Sequence, residues 1–146
     1  CLKIYREQIP EISLYEGVIE LIEELRKRKI KVGIITDGRP EGQRAKIEAL
    51  SLNILFDDII ITDELGGVQF RKPCDIAFRI MQHRWKIPYE QMIYVGDNPS
   101  KDFQACRQLG MRWLYFKNEN GLYHDTCEMS KMVCSITEIS KKIVIL

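Results

Sequence analysis

The chain lacks any cysteine pair at CxxC spacing, and its five cysteines, Cys1, Cys74, Cys106, Cys127 and Cys134, are odd in number. That argues against a disulfide framework or a zinc site and for reduced thiols. Its two histidines, His83 and His124, stand far apart and have no ligand spacing. No apolar run approaches the roughly 18 residues needed to cross a bilayer, and the opening Cys1-Leu2-Lys3-Ile4-Tyr5-Arg6 is no signal peptide. An excess of one charge is missing too. Against 22 basic residues stand 21 acidic ones, a formal net charge of +1, so electrostatics imply neither a nucleic-acid partner nor an anionic membrane. The expected location is the cytoplasm. Internal repeats, low-complexity tracts and linkers are absent as well.

What is present is ordinary globular composition. With 146 residues, 45% hydrophobic and 29% charged, the chain has room for one domain with a proper core. Tyr15 to Lys29 carries Val18, Leu21, Ile22 and Leu25 at helical spacing. Lys31 to Thr36 is a short apolar run closed by Asp37-Gly38, as a buried parallel strand would be. A helix is expected over Arg39–Leu50 with Pro40 near its first position, and a strand over Asp58–Thr62. A glycine-containing loop over Glu64–Lys72 and a helix over Pro73–Trp85 come next. Then follow strand Met92–Val95, helix Pro99–Leu109, strand Met111–Phe116, strand Met132–Ser135 and helix Ile136–Ile145. This alternation predicts an α/β fold, a Rossmann-like three-layer sandwich with a parallel sheet between helices. Ligands of such sheets bind beyond the carboxyl ends of the strands, where Thr36-Asp37, Lys72 and Asp97 fall.

The run Val95-Gly96-Asp97-Asn98-Pro99-Ser100-Lys101-Asp102 sets two carboxylates at one strand-to-helix turn. Asn98 reads as a helix cap and Pro99 as the first helical residue, so Asp102 is expected in the first turn, near Asp97. Two close carboxylates repel unless a cation or proton intervenes, and Mg²⁺ favours one or two carboxylates with waters and phosphate oxygens. The alternative for Asp102 is a macrodipole partner at a capped helix. Thr36 offers a hydroxyl, Gly38 an unhindered N–H, and the helix opening near Pro40 a positive dipole end, a loop suited to phosphate or simply a turn. Lys72 precedes Pro73, which biases it to an extended conformation. Its ammonium suits phosphoryl oxygens; the alternative is a solvated loop lysine.

Taken in order, Ile34-Ile35-Thr36-Asp37-Gly38, Lys72-Pro73 and Gly96-Asp97-Asn98-Pro99-Ser100-Lys101-Asp102-Phe103 resemble the second, third and fourth motifs of the haloacid dehalogenase superfamily. Gln43-Arg44-Ala45-Lys46-Ile47, Leu55-Phe56-Asp57-Asp58-Ile59-Ile60, Asp63-Glu64-Leu65-Gly66 and Ala105-Cys106 resemble the phrasing of its phosphatase branch. The resemblance runs from about Pro10 to the C-terminus, with residues 15–146 as the core domain and 1–14 as a return segment from a cap. It implies Mg²⁺-dependent hydrolysis of a small phosphorylated metabolite through an aspartyl-phosphate. By that resemblance Thr36, with Asp37 and Gly38, would hold the phosphoryl group and Lys72 would offset its charge. Asp97 and Asp102 would serve the metal. Asp37 departs from the Asn more usual there.

The family's first motif, an apolar strand running into Asp-x-Asp with the nucleophile first, occurs nowhere in the 146 residues. The nearest look-alike, Leu55-Phe56-Asp57-Asp58-Ile59-Ile60, has Ile59 where the second Asp belongs. In the family that strand separates the strand of Thr36 from the strand of Asp97, so the expected core lacks its first central strand. A slot of about 10 Å would result. Either the two strands pair directly, or a second chain or an upstream fragment fills the slot, or the domain is marginal. A C-terminal portion of a longer protein, inactive alone, is the expectation. A non-catalytic binding module, a phosphotransferase and a dehalogenase are the alternatives.

Overall fold

The computed structural model describes residues 13–117 and 131–145. Cys1, Cys127 and His124 lie outside them, as does most of the expected return segment. The chain divides into two compact units, Cys1–Arg71 and Lys72–Leu146.

In the first unit, helix α1 (Val18–Lys27) leads into strand β1 (Gly33–Thr36), helix α2 (Pro40–Ala49), the single turn α3 (Leu52–Leu55) and strand β2 (Asp58–Ile61). The strands pair in parallel with Ile34 against Ile59 and Ile35 against Ile60. Alternation then sends neighbouring residues to opposite faces. Ile34, Ile59 and Ile61 pack with Ile47 of α2 and Leu52 of α3, while Ile35 and Ile60 are buried as well. Both faces are thus covered, which is why these strands read as continuous apolar runs. On α2, Ile47 is buried and Ala49 exposed. Pro40 does open that helix. Asp57 extends the ladder: its amide donates to the Val32 carbonyl and its carboxylate accepts from the Val32 amide, both at 2.8 Å. The Asp57-Asp58 look-alike is therefore a strand-start clamp. Arg26 ties α1 to α3 by donating to the Ile54 and Leu55 carbonyls, each at 2.7 Å, which satisfies acceptors a helix end leaves open.

In the second unit, helix α4 (Ile76–Trp85) precedes strand β3 (Ile93–Gly96), helix α5 (Gln104–Leu109), strand β4 (Arg112–Phe116), strand β5 (Met132–Val133) and helix α6 (Ile136–Ile145). The sheet order is β3-β4-β5, all parallel. Trp113, Leu114 and Tyr115 of β4 are all buried, as a central parallel strand requires. Phe103 stacks on Trp113 with ring centroids 4.4 Å apart and meets Tyr115 edge-on at 6.3 Å. The guanidinium of Arg107 and the ammonium of Lys131 lie over Trp113 at 5.0 and 4.4 Å.

The parallel α/β class is as expected, but the strands form two ladders rather than one sheet. No ladder joins β1 to β3 among the described residues. The expected helix over Pro99–Leu109 also shortens to Gln104–Leu109. The loop before it closes on its own bonds instead.

Candidate active site

That loop is built around Asn98 and Asp102. The Asn98 carbonyl accepts from the Asp102 amide at 2.9 Å, and the Asp102 carboxylate Oδ2 accepts from the Asn98 amide at 2.8 Å. Asn98 Oδ1 in turn takes the Ser100 amide and hydroxyl at 3.1 and 2.6 Å. Asn98 therefore caps no helix, and Asp102 sits in no first helical turn. The side chains of Asn and Asp compete with the helix by bonding nearby backbone, and here they win. Phe103, fully buried on Trp113, fixes the loop's exit.

Asp102 is 2% exposed and lies against the strand end. A Cβ on Gly96 would come within 2.5 Å of Asp102 Oδ2 and 2.9 Å of its Cβ and Cγ, so only glycine leaves room. Gly96 immediately precedes Asp97, whose side chain is exposed at the carboxyl end of β3. Among the described residues no three His, Cys, Asp or Glu side chains gather into a cage. Mg²⁺ requires none, since one or two carboxylates with waters and phosphate oxygens suffice. An exposed Asp97 and a buried Asp102 whose Oδ1 takes no well-directed hydrogen bond fit that donor set.

Lys72 belongs to the same cluster. Its Nζ is 2.8 Å from Asp102 Oδ1, an ion-pair distance, and it donates to the Tyr94 hydroxyl at 2.8 Å. The lysine side chain is only 9% exposed, which rules out the solvated loop lysine. Burial opposes its charge, yet Tyr94 and Asp102 together raise its pKa above the ordinary lysine value. Burial pushes the Tyr94 phenol up to about 12, with the Asp102 charge acting in the same direction. Near neutral pH the phenol is uncharged, so the anion that holds the ammonium is Asp102. Burial and the Asp102 charge likewise push the Cys106 thiol up to about 12. The Lys72-Pro73 peptide bond is cis.

The residues read as a phosphate loop fall in the first unit. Thr36 ends β1, half-buried, and no side-chain hydrogen bond engages its hydroxyl among the described residues. Asp37 has a structural partner: its Oδ1 accepts from the hydroxyl of Thr62, a fully buried residue at the end of β2, at 2.9 Å. Gly38 has φ of 137°, and a Cβ there would overlap the Gln43 side chain. Gln43 itself donates to the Asp37 carbonyl at 2.8 Å. The Gly38 N–H is not unhindered, because it donates to the Asp63 carboxylate. Arg71 also grips that carboxylate through two bonds of 2.7 Å, and holds it below the usual carboxylate range.

The structure thus brings Lys72, Gly96 and Asp102 together, with Asp97 next in the chain, and gathers Asp37 and Gly38 with Thr62, Asp63 and Arg71. Sequence reasoning missed Tyr94 and Asp63. Tyr94 had a signal, two residues before Gly96 and so on the same strand face; Asp63 appeared only within the Asp63-Glu64-Leu65-Gly66 resemblance, with no role at the site.

The sequence profile of the haloacid dehalogenase-like hydrolases matches residues 1–116. A glyceraldehyde 3-phosphate phosphatase from Methanocaldococcus jannaschii is 34% identical over 97 residues, which are 66% of this chain and 41% of that protein. A phosphoserine phosphatase from Thermus thermophilus is 31% identical over 99 residues, 68% of this chain and 39% of that one. The chain therefore spans about two fifths of the length of these curated relatives. The crystal structure of a HAD phosphatase from Thermococcus onnurineus shares the fold with a TM-score of 0.74 at 24% identity, over 89% of this chain and 58% of that one. With its lysine, its acidic strand end and its parallel α/β architecture, the chain belongs to the haloacid dehalogenase-like hydrolases, among relatives that are phosphatases.

Proposed function

We propose that this chain supplies the lysine and metal-binding part of a Mg²⁺-dependent phosphohydrolase acting on a small phosphorylated metabolite, with catalysis through an aspartyl-phosphate. The observation that carries the reading is the buried Lys72–Asp102 pair seated on Gly96, next to the exposed Asp97. Burial there has no value to a surface ion pair, whereas a cation held in a dry, fixed place can stabilise charge that develops on phosphoryl oxygens. Lys72 offsets that charge; Thr36, at the end of β1 in the first unit, has a hydroxyl suited to a phosphoryl oxygen. Asp97 and Asp102 would hold Mg²⁺, which supplies Lewis-acid polarisation of the phosphoryl group. Asp37 and Gly38 shape the loop after β1 through Thr62, Gln43 and Asp63.

The nucleophile is the missing part, because no Asp-x-Asp occurs in the 146 residues. We therefore expect the pure chain to bind Mg²⁺ weakly by calorimetry, to lose that binding on Asp97→Ala, and to leave p-nitrophenyl phosphate intact. Turnover that requires Mg²⁺ and vanishes in Asp97→Ala would refute the inactivity; Mg²⁺ binding indifferent to Asp97→Ala would refute the metal assignment.

A further inference from the structure

We propose that Tyr94 is a positioning residue for Lys72: its hydroxyl is the second tether that fixes where the ammonium sits. The inference rests on the reading of Lys72 as the cation that meets phosphoryl charge, and adds how the fold aims it. A lysine has a flexible four-carbon stem, and one acceptor leaves its ammonium free to sweep an arc. Here Tyr94 Oη accepts a hydrogen bond and Asp102 Oδ1 faces the ammonium as its ion-pair partner, each 2.8 Å from Nζ. Together they define a place.

The tether is itself held. Tyr94 and Gly96 share one face of β3, the face against which the Asp102 carboxylate packs. The Tyr94 ring meets Phe78 of α4 edge-on, with centroids 5.1 Å apart, and Phe78 is 1% exposed. The ammonium lies 5.4 Å from the ring centroid, nearly twice its distance from the hydroxyl, so the oxygen rather than the ring face sets its position. The choice of a phenol has a chemical consequence. A second carboxylate would also tether Lys72, but it would make the cluster net negative and repel an anion. A neutral oxygen positions the cation without cancelling its charge. A phenol is neutral across the physiological range, and burial here moves it further from ionisation.

The test is Tyr94→Phe in the full 146-residue chain, which removes one oxygen and keeps the ring. The ¹⁵N order parameter of the Lys72 ammonium should fall toward that of exposed Lys46 while the thermal midpoint moves by no more than a few degrees. Orthophosphate affinity should weaken about fivefold, the worth of one ordinary hydrogen bond. An ammonium as ordered in Tyr94→Phe as in the parent would overturn the proposal. Should the variant fail to fold, the parent chain decides: a Lys72 ammonium as mobile as that of Lys46 overturns it, and an immobile one upholds it. Lys72→Met separates the two ideas. If orthophosphate binds equally well without the ammonium, the phosphate role of Lys72 falls, while the order parameter still judges Tyr94.

Discussion

Two cation–carboxylate pairs stand side by side in the sequence, Arg71 with Asp63 and Lys72 with Asp102. Their lengths are nearly equal, 2.7 and 2.8 Å. Their settings differ at the cation: the Arg71 side chain is 37% exposed over an Asp63 that is 9% exposed, whereas Lys72 and Asp102 are 9% and 2% exposed. Water reaches the guanidinium and screens the first pair from that side. In the second, each charge depends on its partner, since little solvent reaches it. The bond length says almost nothing about what a pair does; the burial says nearly everything. The arginine pair is a brace for a loop, and the lysine pair is a charge held ready.

The largest effect should come from removing one buried partner. Asp102→Asn leaves the Lys72 ammonium buried without an anion, and the expected loss is about 3–5 kcal/mol in urea unfolding. The double variant Lys72→Met, Asp102→Leu should recover the part of that loss due to the unpaired charge, while the Asn98 amide, left without its acceptor, keeps a residual cost. A cost for Asp102→Asn no greater than that of breaking the arginine pair would erase the comparison.

Next comes Gly96→Ala, which attacks the buried pair without touching a charge. The added methyl would stand 2.5 Å from Asp102 Oδ2, and the opposing atoms belong to a carboxylate fixed by Asn98 and Lys72 rather than to a loose side chain. Overpacking of this kind costs about 1–3 kcal/mol. Asp102→Ala in the Gly96→Ala background should relieve the overlap, and non-additivity measured by urea midpoints checks it.

A third measurement uses pH. Lys72 has a raised folded pKa, so its contribution to stability is fully present below the unfolded lysine value and is lost as pH rises through the folded one. Tyr94 has the same sign: between its ordinary value of 10.0 and its folded value of about 12 the unfolded chain has released a proton that the native chain still binds. Stability should therefore fall steeply above about pH 10. Tyr94→Phe should flatten that fall in urea midpoints collected from pH 8 to pH 11.5.

Several of these features were legible in the sequence and others were not, for physical reasons. Continuous apolar runs revealed β1 and β4, because a strand buried on both faces has no polar alternation to hide it. The terminal helix Ile136–Ile145 has the expected bounds. Thr36 and Asp97 stand at the ends of β1 and β3, as the apolar runs implied, while Lys72 was singled out only by Pro73 after it. The loop from Asn98 to Asp102 did not follow, because Asn and Pro ahead of an apolar run look the same whether they begin a helix or close a turn onto Asp102. The grip of Asp63 on Gly38 and Arg71 was equally invisible, since it joins residues 25 and 8 positions apart through side-chain and backbone groups with no periodic signature. Periodicity marks strands but not which of them pair; the division between the strand of Thr36 and the strand of Asp97 followed instead from the absent Asp-x-Asp strand, and the two ladders part there.

A smaller effect is expected where the cation is the more exposed. Arg71→Ala removes both bonds to Asp63, but solvent can enter the space the half-exposed arginine leaves, and the Gly38 N–H still donates to the carboxylate that remains. The urea midpoint should shift only slightly at low salt, and the shift should shrink further near 1 M salt, where charges more than about 3 Å apart are screened. Asp102→Asn should keep its full penalty under the same salt, because ions screen buried partners far less. If instead salt leaves the Arg71→Ala shift unchanged, the arginine pair acts through packing of its stem, and the contrast between the two pairs becomes one of shape rather than solvent.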